Sequence, residues 1–205
     1  MAVEEPVFEV LEKSENIEIR QYNPVIVAET FADGDMGSAS SSGFRALADY
    51  IFGNNQSMRE PGGKSSEKIA MTAPVSIEAV TRSEKIAANV GANVELQGDS
   101  ASGLMNSGRW RVQFTLPSGY SMASLPKPRN PAVTLREVPG KRYAVLAFSG
   151  FAGEEKAQQK IDELSAWLRA TNRRMIATPQ LARYNPPWTP PFLRRNEILI
   201  EIGVP

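Results

Sequence analysis

The chain has 205 residues, with 23 Lys and Arg against 23 Asp and Glu, and neither Cys nor His. That length supports one sizeable buried core, and a formal net charge of zero excludes the basic excess with which nucleic-acid binders neutralise phosphates. Without Cys or His there is no disulfide, no thiolate or imidazole metal ligand, no Ser-His-Asp triad and no side chain titrating near neutrality.

The opening residues, Met1 to Pro6, lack the basic and apolar regions of a signal peptide. The longest strongly apolar run, Tyr143 to Phe148, is far shorter than a membrane-spanning helix requires. The expectation is a cytoplasmic protein. Ile17 to Tyr22 alternates apolar and polar positions like a half-buried strand. Asn23-Pro24 then reads as a turn into a second strand, Val25 to Ala28, which predicts a hairpin. Ser38 to Ser42 offer N-caps for a helix whose apolar stripe is Phe44, Leu47, Ala48 and Ile51. Gly53-Asn54-Asn55 ends it in residues that tolerate a left-handed backbone.

The same plan returns about 116 residues further on. Val133 to Arg136 reads as a strand, Pro139-Gly140 as a turn and Tyr143 to Phe148 as the next strand. A helix over Glu154 to Thr171 carries Ala157, Ile161, Leu164 and Leu168 on one face. Ala70 to Ile77 and Trp110 to Leu116 supply further strands in the first half, with Gln180 to Tyr184 and Glu197 to Ile202 in the second. Segments 56–66 and 81–108 read as loops. One helix cannot cover the strands of its own half, so the halves should share a core. The predicted class is α+β: a single domain over 1–205, a distorted antiparallel β-barrel of two pseudo-repeated βαββ-type units flanked by two long helices. The units cover about residues 7–116 and 131–203.

Gly63-Lys64-Ser65 imitates the end of a phosphate-binding loop, but Met58 stands where the first glycine belongs and the segment follows a helix. Carboxylates are plentiful without any distinguished pair, so no enzyme is expected. Pro74, inside a strand-like run, belongs at an edge or bulge. Tyr184 to Pro191 forms a Pro-rich loop carrying Trp188 and leading into Arg194-Arg195-Asn196-Glu197.

Four stretches make the sequence similar to the SOUL haem-binding family over nearly its whole length. They are Ile19-Arg20-x-Tyr22, Phe44 through Tyr50-Ile51-x-Gly53-x-Asn55, Lys68-Ile69-x-Met71-Thr72-x-Pro74-Val75, and Tyr184-x-Pro186 followed by Arg195-Asn196-Glu197. The resemblance implies a distorted two-repeat barrel, like the ligand-sensing domains of some bacterial transcription regulators. It also implies a soluble monomer that carries or buffers haem or another tetrapyrrole. Gln21 occupies the position of the histidine proposed as iron ligand in some relatives, and Thr189 that of a loop lysine. Binding is therefore expected to be non-covalent and without His or Cys ligation.

A porphyrin needs an apolar wall and cations for its propionates. Phe44, Leu47, Ala48 and Ile51 could form the wall, and Arg45, Lys68, Arg194 or Arg195 could meet the propionates. Trp188 could stack on the ring, and Met71 or Met58 could offer a soft sulfur to iron. The same helical stripe could equally be core, and Arg195 could pair with a strand carboxylate. The alternative function is a haem-independent small-molecule-sensing or protein-interaction module on the same fold.

Overall fold

The computed structural model describes residues 3–58, 65–80 and 107–203. Gly63, Lys64 and most of the predicted loop 81–108 lie outside them. Strands β1 (Phe8–Ser14), β2 (Ile17–Tyr22) and β3 (Val25–Asp33) lead into helix α1 (Met36–Ile51). A two-residue strand β4 (Asn55–Gln56) follows, then β5 (Val75–Ala79), β6 (Arg109–Thr115), a second two-residue strand β7 (Lys127–Pro128) and β8 (Thr134–Val138). The last elements are β9 (Arg142–Ser149), helix α2 (Glu154–Ala170), β10 (Gln180–Arg183) and β11 (Arg195–Glu201). Nine strands form one sheet in the order β1-β2-β9-β11-β10-β5-β6-β3-β8, each neighbouring pair antiparallel, and β4 pairs with β7. The sheet curls strongly into a half-barrel with β1 and β8 as its edges.

Period-2 alternation sorts the side chains of this sheet onto two faces. Ile19, Ala28, Val112, Leu146, Ile198 and Ile200 turn one way and pack with Leu47 of α1 and Leu164 of α2 in a single core. Helix α1 lies on β3 and β6, and α2 on β9 and β11. Gly43 sets the approach of α1: a Cβ there would stand 2.5 Å from Val112 Cγ2, so no other residue lets helix and strand come so close.

The predicted hairpin at Asn23-Pro24 does not form, and the parallel turn at Pro139-Gly140 does not join paired strands either. β2 pairs with β1 and β9, whereas β3 pairs with β6 and β8. Local alternation specifies that a segment is a strand and which face it buries; the partner is chosen by the tertiary fold. The two corners pack on each other instead. Tyr22 N–H donates to Lys141 O at 2.8 Å, and a Cβ on Gly140 would meet Tyr22 O at 2.8 Å.

The N-cap of α1 is Asp35 rather than one of the serines. Its carboxylate accepts from Ser38 N–H at 2.9 Å and Ser38 Oγ at 2.6 Å, because buried Met36 and Ala39 extend the apolar stripe a full turn upstream. The chain leaves α1 through Gly53 at φ +122°, a conformation in which side chains are rare. β5 starts only at Val75, after a cis Ala73–Pro74 peptide bond, so the predicted strand from Ala70 is shorter and displaced. β1 carries mostly exposed residues without clean alternation and went unpredicted.

Candidate functional site

The flank of α1 is assembled by the segment leaving its C-terminus. Buried Asn55 donates from Nδ2 to Tyr50 O and Glu67 O and accepts from Glu67 N–H. Ile69 N–H then donates to Ile51 O at 2.8 Å, and Thr72 Oγ1 to Thr115 O. The strap 67–72 is thereby tied to the C-terminal end of α1 and to β6, and Phe44 of α1 meets Phe114 of β6 with 5.4 Å between ring centroids. Arg183 donates to Ser40 Oγ and to Ala152 O, each at 2.8 Å, tying the start of the Pro-rich loop to the first half of α1.

Phe44, Arg45, Lys68 and Met71 are exposed here, and Trp188 on the loop is 82% exposed. Arg45 and Lys68 have no ion pair among the described residues. The other two candidate cations are engaged. Arg194 donates to the carbonyls of Thr189 and Pro187 and lies over Phe151. Arg195 pairs with Glu5 and Glu197 and stacks 3.8 Å from the Tyr184 centroid. Leu47 is 0% exposed, and Ala48 and Ile51 are buried, so these three serve the core. Gln21 is half-buried on β2, while α1 rests on β3 and β6, far along the sheet order. Met58 is exposed beyond β4.

The face of the sheet turned away from the helices holds groups that the sequence reading passed over. Glu197 is 1% exposed and accepts from Arg20 Nη1 at 3.1 Å, Arg195 Nη2 at 2.9 Å and Tyr184 OH at 2.6 Å. Arg20, 5% exposed, also donates to Glu18 and to Tyr22 OH. Further along, Arg136 pairs with Glu29, Arg111 with Glu78 and Lys141 with Glu201. In the sequence these positions alternate with apolar ones, which reads as a solvent face. Curling of the sheet instead buries Arg20, Glu29, Glu78 and Glu197 and leaves Arg136 and Lys141 partly exposed at its rim. The hollow holds an outer cavity of about 640 Å³, lined by Glu4, Val25, Thr115 and Glu137, and an inner one of about 180 Å³ reaching Tyr143, Thr178 and Glu201.

Burial pushes the phenols of Tyr22, Tyr50, Tyr143 and Tyr184 above the usual tyrosine range, the carboxylate of Glu197 adding to the effect at Tyr22 and Tyr184. A group with a raised folded-state pKa contributes stability that is complete below its unfolded value and lost as pH rises. Stability is therefore expected to fall steeply above about pH 10, with phenolate absorbance appearing together with the loss of native circular dichroism. Tyrosine ionisation near its ordinary pH in a still-folded protein would contradict this.

The sequence profile of the SOUL heme-binding protein family matches residues 3–201. The chain belongs to that family. No curated protein matches it significantly. Among solved structures it is similar to the C-terminal domain of EcmrR, at 9% identity and TM-score 0.59 over 91% of this chain and 96% of that one. An uncharacterized conserved protein from Listeria innocua gives 12% identity and TM-score 0.57 over 92% of both chains. A hydrolase from Listeria innocua gives 11% and 0.55 over 94% of both. Likeness at such identities concerns the fold alone. Among the described residues no helix is long and apolar enough to cross a membrane, and no group of three or more Asp or Glu is placed to hold a metal ion.

Proposed function

We propose that this SOUL-family protein is a monomeric, cytoplasmic binding protein, not an enzyme, that holds a tetrapyrrole reversibly on the outer flank of α1. What supports the reading is that Phe44, Met71 and Trp188 are exposed apolar side chains and that Arg45 and Lys68, exposed as well, have no ion pair among the described residues. A flat apolar disc with two anionic arms is recognised by that combination. Phe44 and Trp188 would cover the macrocycle while Arg45 and Lys68 meet the propionates. The family's description as haem-binding supports the ligand class, and the absence of Cys and His from the sequence means that affinity comes from the macrocycle rather than from thiolate or imidazole ligation of iron. The architecture we read as a duplication, because outward from β5–β10 the strands run β6, β3, β8 on one side and β11, β9, β2 on the other.

Titration of haem and of metal-free protoporphyrin into the protein is the test, read by absorption and tryptophan fluorescence. The two are expected to bind within about tenfold of each other, roughly 1.4 kcal/mol. Trp188→Ala is expected to leave the melting temperature unchanged and to weaken both by about 0.5–1.5 kcal/mol. Full affinity in that variant, or a haem preference of hundreds-fold, would overturn the assignment.

A further inference from the structure

We propose that the inner cavity of the hollow face is a separate binding site for a small uncharged aromatic hydroxy compound, about the size of a phenol. Its volume of about 180 Å³ corresponds to roughly six waters of liquid, enough for one substituted ring and far too little for a tetrapyrrole.

Charge decides the class of ligand. Glu78 and Glu201 line the cavity with Arg111, Arg136 and Lys141, and buried Glu29 backs Arg136. The three acids and three bases are paired with one another. An ionic ligand would surrender its hydration without finding a counter-charge free to receive it. The outer cavity beside it is lined by Glu4, Glu5 and Glu137 and, among the described residues, by no Lys or Arg, which repels anions further.

Walls and polar groups decide the shape. Tyr22 and Tyr143 meet edge to face at 5.6 Å, beside Val25, Val27 and Leu199, an arrangement that suits an aromatic ring. Two hydroxyls are left without partners. Tyr143 OH makes no hydrogen bond among the described residues, and Thr178 Oγ1 is buried and unpartnered. Buried polar groups are nearly always satisfied, so Thr178 Oγ1 marks where a ligand's polar atom belongs, and Tyr143 OH on the same lining offers a second hydroxyl. Burial, with Glu201 and Glu78 nearby, keeps the Tyr143 phenol protonated and able to donate.

Saturation-transfer NMR titrations of the full chain with phenol, benzoate and benzylammonium test this. Phenol is expected to bind with a Kd of about 1 mM, with both ions at least about tenfold weaker. Tyr143→Phe removes only a hydroxyl that no protein group uses, so its melting temperature should hold while phenol binding weakens about fivefold. Ser76→Phe, which fills the cavity from a half-buried position on β5, should abolish binding while protoporphyrin titration on α1 is unaffected. Undiminished phenol affinity in either variant, equal binding of an ion, or no phenol binding by the parent chain would overturn the proposal.

Discussion

Glu197→Ala is expected to destabilise the protein by about 3–5 kcal/mol, the range for stripping one partner from a buried ion pair. The size follows from what remains. Arg20 would keep Glu18 and Tyr22 as partners, but the residue is 5% exposed and loses its buried carboxylate partner. Tyr184 OH loses its acceptor in the same step, and Arg195 keeps only Glu5. Replacing both charges with apolar residues of similar volume, Arg20→Met with Glu197→Leu, should cost much less than Glu197→Ala alone, because no ion is left unpaired. Urea unfolding of the two variants with unchanged m-values checks this. A loss below about 1 kcal/mol for Glu197→Ala would mean that water reaches the network and compensates it.

Leu47→Ala is expected to cost about 2–5 kcal/mol, the range for truncating a fully buried leucine. The side chain sits at 0% exposure in the core shared with Leu146, Leu164 and Ile198, and close-packed surroundings collapse only partly around the void. The experiment also separates two roles. A core residue lowers the unfolding free energy while the folded fraction still binds protoporphyrin within about twofold. A groove wall would lose affinity at unchanged stability, and that outcome would sink the core assignment.

Much of the fold was legible because it depends on short-range pattern. The alternation of Ile17 to Tyr22 fixed β2 to the residue, and the stripes through Leu47 and Leu164 located both helices. β1 escaped because an edge strand with exposed side chains has no buried face to impose alternation. Asp35 escaped as N-cap because five later residues offered serines or small side chains, and only the buried Met36 and Ala39 show where the helix must begin.

The α1 flank was half legible. Phe44 and the Lys68–Met71 motif could be picked out as residues, but the docking of 67–72 onto the end of α1 depends on the Asn55 clamp and the Ile69–Ile51 hydrogen bond. Arg194 and Arg195 stood in sequence as candidate propionate partners, with a strand carboxylate the alternative for Arg195, and the fold gives both to neighbouring acceptors.

The sequence by itself determined the element types, the shared core, the family and the exclusion of thiolate and imidazole chemistry, since these rest on composition and on periodicities of two and 3.6 residues. Only the tertiary structure decided strand partners and the fate of the charged face. Asn23-Pro24 and Pro139-Gly140 look like hairpin turns, yet each carries the chain between strands that pair elsewhere. The same curl that brings those corners together encloses Arg20, Glu197 and Tyr143, turning what alternation marks as a solvent face into a buried, paired and hollow one. Curvature is a property of the whole sheet, summed over the twist of nine strands, and no local window of sequence contains it.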